Sequence, residues 1–266
     1  MSWRPPLRHR RAPGHALCRA AVLGLTLALV VSAVGAAPPE SPPEKPAART
    51  AHPADPWEPL NRSVHAFNEG VDEAVLKPVA GVYRQVLPEL VQRGVENVFG
   101  NVTDLWSAAN HLLQGKPEPA AEMTMRVVIN TWLGLGGLLD VASEAGLHRQ
   151  PEDFGQTLGR WGLGPGPYVV LPLFGPRTLR DAAAMPLDWR VSLPALPQEA
   201  HHRFMLSGLD AVQTRSGLLG ATQLIDQVAI DKYSFVRDSH LARRRSLVYD
   251  GDPPPEREDT GDDAPR

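Results

Sequence analysis

The stretch whose reading decides the fold is DPWEPLNRSVHAFNEGVDEAVLKPVAGVYR, Asp55 to Arg84. Its first residues form a helix-start signal. Asp55 is placed to cap, Pro56 suits the first helical position, and Glu58 falls three residues after the cap. Apolar residues then recur at Leu60, Val64, Phe67, Val71 and Val75. Steps of three and four residues return to one side of an α-helix and alternate on no strand. Pro78 interrupts the pattern near its end.

The same period continues downstream. A second helical region runs from about Leu90 to Leu113, with a stripe at Val91, Val95, Val98, Val102, Leu105, Ala109 and Leu112. Phe99, Trp106 and Leu113 widen that face, and Gly100-Asn101 is a point where it could bend or split. Gly115-Lys116-Pro117 is a stop. A third helix is expected over Pro119 to Trp132 with Met123, Val127 and Val128 buried, followed by a short glycine-rich helix around Gly136 to Ala145. A short helix is expected from Pro176 to Met185, before Pro186, and a longer pair over Glu199 to Gly220 and Gln223 to Val248. The last carries Ile225, Ala229, Tyr233, Val236, His240 and Leu247. With no strand alternation of useful length, the expected fold class is all-α.

One segment resists this reading. Asp153 to Gly175 contains six glycines, and within it GPGPYVVLPLFGP, Gly164 to Pro176, joins three glycines and four prolines to six apolar residues. Proline forbids a continuous helix there and argues against a central strand. Turns are usually polar; this one is not.

The flanks differ in composition. Residues 1–36 read as an export signal: five arginines, no acid, then the apolar run AAVLGLTLALVVSAV from Ala20 to Val34 and a cut between Ala36 and Ala37. An uncleaved anchor helix is the other reading, since Ala20 to Ala37 reaches the lower limit for crossing a bilayer. Residues 37–54 form a proline-rich linker, 55–251 the folded domain, and 252–266 an acidic tail with no apolar stripe, expected to be disordered. The single cysteine, Cys18, precedes the apolar run. After cleavage no disulfide, thiolate nucleophile or cysteine-ligated metal remains. The signal removes five basic residues, leaving 22 against 30 acidic ones and a net charge of −8. No nucleic-acid partner is expected of an acidic exported chain.

Enzyme signatures are missing. There is no G-x-S-x-G, H-E-x-x-H or Walker loop. GLGG at Gly134 to Gly137 lacks the strand-to-helix setting of a dinucleotide loop and reads as a turn or packing element. His201 and His202 are adjacent and should point to different sides of a helix, so a solvated surface is preferred to a metal site. His111 and His240 lie near apolar stripes and read as packed, hydrogen-bonded histidines. Glu152-Asp153 reads as a solvated turn and helix cap rather than an acid–base pair. Arg243, Arg244 and Arg245, near a helix end, suit either anionic headgroups or the negative end of the helix dipole.

Several blocks together resemble the VacJ/MlaA outer-membrane lipid-asymmetry proteins. They are the opening stretch, NHLLQG at Asn110 to Gly115, Arg126 to Leu147, EDFGQTLGRWGLGPGPYVVLPLFGPRTLRD from Glu152 to Asp181, and Asp231 to Gly251. The resemblance implies a ring of helices in the inner leaflet of the Gram-negative outer membrane. A central amphipathic channel would let mislocalised phospholipid descend from the outer leaflet to a soluble periplasmic lipid carrier. It further implies association with a trimeric porin, no catalysis and no cofactor. Members usually carry a lipidated cysteine at the mature N-terminus, which this chain departs from. Within that reading Gly164, Gly166, Tyr168, Val169, Val170, Leu171, Leu173 and Phe174 are expected to face the membrane or the lipid path, with a buried plug as the alternative. Arg243, Arg244 and Arg245 are expected to contact a headgroup or partner. The competing functions are a periplasmic porin-docking scaffold or binding protein without transport, and a secreted lipid-acting hydrolase.

Overall fold

The computed structural model describes residues 52–255. The signal, most of the linker, Cys18 and most of the acidic tail lie outside the described residues. The helical reading holds: α1 (Glu58–Val71), α2 (Lys77–Val86), α3 (Glu89–Leu113), α4 (Pro117–Trp132), α5 (Val141–Glu144), α6 (Phe154–Arg160), α7 (Leu179–Arg190), α8 (Ala200–Val228) and α9 (Lys232–Val248) account for most of it. A strand pair, β1 (Tyr168–Leu171) and β2 (Gly175–Thr178), lies between α6 and α7.

Several boundaries differ from expectation for identifiable reasons. Asp55 does not cap α1, which begins at Glu58 with Pro59 in its first turn. Asp55 is instead buried, accepting hydrogen bonds from Tyr233 Oη at 2.5 Å and Asn61 Nδ2 at 2.8 Å. Pro78 does not end the helical path. Residues Asp72–Leu76 widen into a π-turn, with Lys77 N–H reaching Asp72 O, and α2 follows. The wider turn makes room for a proline that can neither donate nor tolerate a close carbonyl one turn back. Gly100 does not split α3, which is continuous. The glycine-rich helix shrinks to Val141–Glu144 because residues 133–139 are turns. Pro186 sits inside α7 rather than beyond it. α8 continues past Gly220 to Val228, so the last two helices divide at Ala229 to Asp231.

The larger surprise is which way the faces point. The largest fully buried side chains include Arg126, His111, Asn61, Asn110, Asp104 and Ser107. Of the expected apolar stripes, Leu60, Phe67, Val75, Val91, Leu105 and Leu112 are exposed, and Val128 lies outside rather than in the core. In water this arrangement would forgo about 25 cal/mol for each Å² of apolar surface left uncovered. Many of the buried polar groups are compensated, as burial demands, although among the described residues His111 Nδ1 and the Tyr168 hydroxyl have no hydrogen-bond partner. Arg126 joins α4 to its neighbours by Nε at 3.3 Å from Asp104, Nη2 at 3.1 Å from Asp140 and Nη1 at 2.6 Å from the Leu147 carbonyl. Arg149 Nε takes the other Asp104 oxygen at 2.6 Å. His111 Nε2 donates to the Gln150 carbonyl at 3.0 Å, the packed role expected of it.

α8 has no distinct apolar face, and apolar side chains stand exposed around it. Ser216 is its one buried residue, while Phe204, Met205, Leu209, Leu218, Leu224 and Val228 are exposed. It is held by Arg215, whose guanidinium meets the Asp72 carboxylate at 2.6 and 2.8 Å. Among the described residues no helix is long and apolar enough to cross a membrane.

Candidate functional site

The apolar turn segment survives because side chains complete its backbone. β1 pairs antiparallel with β2, Tyr168 opposite Thr178 and Leu171 opposite Gly175. Its outer edge would leave polar groups bare, which is costly away from water. α1 supplies partners from one face. Asn61 accepts from Val170 N–H at 2.9 Å and donates to the Tyr168 carbonyl at 3.1 Å. Seven residues on, Asn68 accepts from Leu173 N–H at 2.8 Å and donates to the Leu171 carbonyl at 3.0 Å. The Ala54 carbonyl takes Tyr168 N–H at 2.7 Å. Two asparagines on a helix thus stand in for a third strand.

The hairpin's pleat divides the expected membrane-facing residues. Tyr168 and Val170 point inward and join Tyr233, Val64 and Leu241 in the apolar core, so these two do not face lipid. Val169 and Leu171 are half-buried. Leu173 and Phe174 project from the tip. Leu173 has φ 65 and is 67% exposed. A second leucine shares this condition: Leu135, φ 54 and 71% exposed, in the turn after α4 beside Trp132 and Leu133. The left-handed conformation costs an L-residue about 1–2 kcal/mol. Both leucines therefore sit strained, apolar and exposed where glycine would be easier. In the same turn Gly134 has no alternative, since a Cβ there would lie 2.2 Å from the Leu139 carbonyl.

Between the α6–β1 connection and α9 lies a cleft of about 520 Å³. Gly162, Leu163, Gly164 and Pro165 form one wall, Leu241, Ala242, Arg245 and Val248 the other, with Arg180, Asp238 and Tyr249 adding polar groups. Gly159 lets the walls approach: a Cβ there would fall 2.7 Å from Arg180 and 2.9 Å from Val248. Gly164 differs, with nothing within 4 Å of its would-be Cβ. Gly166, φ 66, abuts Leu179.

The three arginines separate. Arg244 is committed to protein: its Nη groups meet Asp153 at 2.6 and 2.9 Å, and its Nε lies 2.8 Å from Asp181. It clamps α9 to α6 and α7, so the headgroup role expected of it does not hold. Arg245 lies on the cleft rim and donates to the Pro254 carbonyl; Arg243 is exposed outside the lining. Asp153 caps α6 by accepting from Gln156 N–H, as expected, but Glu152 is buried rather than solvated. Burial pushes the Glu152 carboxyl upward, against the Gln114 amide and the Lys116 charge that favour ionisation.

Behind the clamp is a polar cavity of about 210 Å³ lined by Asp153, Arg177, Asp181, Met185, Asp188, His240 and Arg244. His240 packs edge-on against Tyr168, ring centroids 6.2 Å apart. Its burial, then the charges of Arg177 and Arg244, lower its pKa to about 4. Burial raises Asp188, although Phe154 N–H and Trp106 Nε1 both donate to it, at 2.9 and 2.8 Å.

Sequence reading missed Asn61, Asn68, Gly159 and Leu163. The seven-residue spacing of the asparagines on α1, flanking the apolar stripe, was the available signal.

These features define a class: a helical protein with an ion-paired, largely polar interior, many large apolar side chains exposed on its surface and an amphipathic cleft. The comparisons narrow it. A sequence profile described as "MlaA lipoprotein" matches residues 53–247, and the chain belongs to that family. It is 34% identical over 198 residues to an uncharacterised protein of Rickettsia bellii, covering 73% of this chain and 77% of that one. It is 34% identical over 217 residues to the "Intermembrane phospholipid transport system lipoprotein MlaA" of Shigella flexneri, covering 76% of this chain and 82% of the relative. The Escherichia coli K12 protein of the same description is 33% identical over 217 residues, with the same coverage. A solved structure, described as "Structural basis for maintenance of bacterial outer membrane lipid asymmetry", superposes with a TM-score of 0.64 at 34% identity. It covers 73% of this chain and 98% of its own.

Proposed function

We propose that this chain is an outer-membrane phospholipid transport protein. It lies in the periplasm-facing leaflet and lets phospholipid that has reached the outer leaflet descend to a soluble periplasmic carrier, beside a trimeric porin. The observation that carries the reading is the inverted surface: ion pairs and amides inside, large apolar side chains outside. Lipid replaces water as the solvent for that exterior, and the strained Leu135 and Leu173 tips then gain contact instead of losing hydration. Family membership and the phospholipid transport relatives support the same reading.

A conduit has a definite physical task. A phospholipid carries on the order of 30 methylenes, each worth about 0.8 kcal/mol to keep from water. The path must therefore shield tails while offering polar groups to the headgroup. The cleft has both, with Leu163, Pro165, Leu241 and Val248 beside Arg180, Arg245 and Asp238. Arg245 is the headgroup side of this proposal; Arg180, buried and paired with Asp181 at 3.0 Å, and Arg244 are its frame.

Gly164 offers a direct test. A Cβ there would meet nothing within 4 Å, so Gly164→Trp is expected to add an indole at the cleft wall. The variant is expected to fold and reach the membrane, yet fail to restore lipid asymmetry in cells lacking their own family member. Full restoration would remove the cleft from the lipid path. Normal porin association without any restoration by the unmodified chain would favour a docking scaffold.

A further inference from the structure

We propose a late first-row transition-metal site, suited to Zn²⁺, at the start of α8, formed by Glu199, His201 and His202. Glu199 immediately precedes the helix with an extended backbone (φ −83, ψ 130), which turns its carboxylate back over the first turn. His202 Nδ1 lies 2.9 Å and His201 Nε2 3.4 Å from the same oxygen, Glu199 Oε2. The two imidazole rings, adjacent in sequence and expected to diverge, instead stand 3.9 Å apart between centroids at 48°. All three donor atoms lie within 4.8 Å of one another.

That spacing matches coordination. Two ligands each about 2.1 Å from a tetrahedral ion are about 3.4 Å apart, and Zn²⁺ accepts imidazole nitrogen and carboxylate oxygen at such distances. Two imidazoles and one carboxylate favour Zn²⁺, Ni²⁺ or Cu²⁺ over Mg²⁺ or Ca²⁺, which prefer oxygen alone. The ion pairs of Glu199 among the described residues run only to these imidazoles. Among the described residues no lysine or arginine forms an ion pair with the carboxylate that a cation would use. The positive end of the α8 dipole opposes a cation there by about 0.3–1 kcal/mol at an exposed position, small beside three coordinate bonds. All three side chains are exposed, so the remaining coordination positions open to solvent and exchange should be fast.

The test uses untagged full-length protein in detergent micelles, titrated with Zn²⁺ against a chromophoric chelator at pH 7.5. One equivalent is expected to bind. Affinity should drop at least tenfold in the His201→Ala, His202→Ala double variant and in Glu199→Gln, with unchanged circular dichroism. Substituting Co²⁺ should give a visible d–d band that the double variant lacks. His148→Ala, at an exposed histidine outside the cluster, serves as control and should bind as the unmodified chain does. No saturable binding, or equal affinity in the double variant, overturns the proposal.

Discussion

Asn61→Ala tests how an apolar, proline-rich hairpin is held without a third strand. The substitution removes three contacts: the acceptor for Val170 N–H, the donor to the Tyr168 carbonyl and the donor to Asp55. Asn61, Asp55, Tyr168 and Val170 are all buried, so water cannot replace the amide without opening the structure. Each stranded group costs about 1–3 kcal/mol, which gives a loss of about 3–9 kcal/mol for the three. Against a typical stability of about 5–15 kcal/mol, that is a large fraction of the total. Asn68→Ala removes two equivalent bonds near the exposed tip, where water can enter, and should cost only about 1–2 kcal/mol. Asn61→Asp keeps the acceptor but sets a second carboxylate against Asp55, so it should be no better than alanine. Denaturant unfolding in micelles, followed by circular dichroism, measures all three. An Asn61→Ala loss no greater than that of Asn68→Ala would refute the strand-substitute account.

Other consequences follow from the same contacts. Arg244→Ala leaves the Asp153 and Asp181 carboxylates without their shared partner and should destabilise by about 3–5 kcal/mol, read by the same unfolding assay. Leu173→Gly relieves a left-handed leucine and should stabilise the detergent-solubilised protein by about 1 kcal/mol, while lowering its recovery with membranes. His240, with a pKa of about 4, binds its proton later than in the unfolded chain, whose histidine titrates near 6.5. Its burial costs nothing above pH 6.5 and destabilises progressively between pH 6.5 and 4, by at most about 2 kcal/mol at pH 5. The stability difference between the unmodified chain and His240→Gln should therefore narrow by that amount from pH 7.5 to 5.

The helices were legible because their period depends on backbone geometry alone. Leu60, Val64, Phe67 and Val71 mark a helix whatever surrounds it. Their direction was not legible, since a stripe does not state which solvent it meets. Phe67 was read as part of the apolar stripe and is exposed, whereas Asn61 was passed over and is buried. The strand pair escaped for a related reason. Its edge is completed by Asn61 and Asn68, roughly a hundred residues away in sequence, and no local pattern announces such partners. The cleft was half legible. Gly164 and Arg245 were singled out and both line it, but Gly159 acts through a close approach to Arg180 and Val248 that spacing does not reveal. Arg244 looked like its two neighbours in the arginine run. Only its contacts with Asp153 and Asp181 distinguish it.

The most direct measurement of the central claim is the amount of phospholipid in the outer leaflet of Gram-negative cells that lack their own family member and express this chain. It is read by the products of an externally acting phospholipid-modifying enzyme. The account predicts a return to the level of intact cells with the unmodified chain, and the elevated level of the deletion strain with Gly164→Trp at equal membrane abundance. Outer-leaflet phospholipid that stays elevated while the unmodified chain is present in the outer membrane at normal abundance would contradict it.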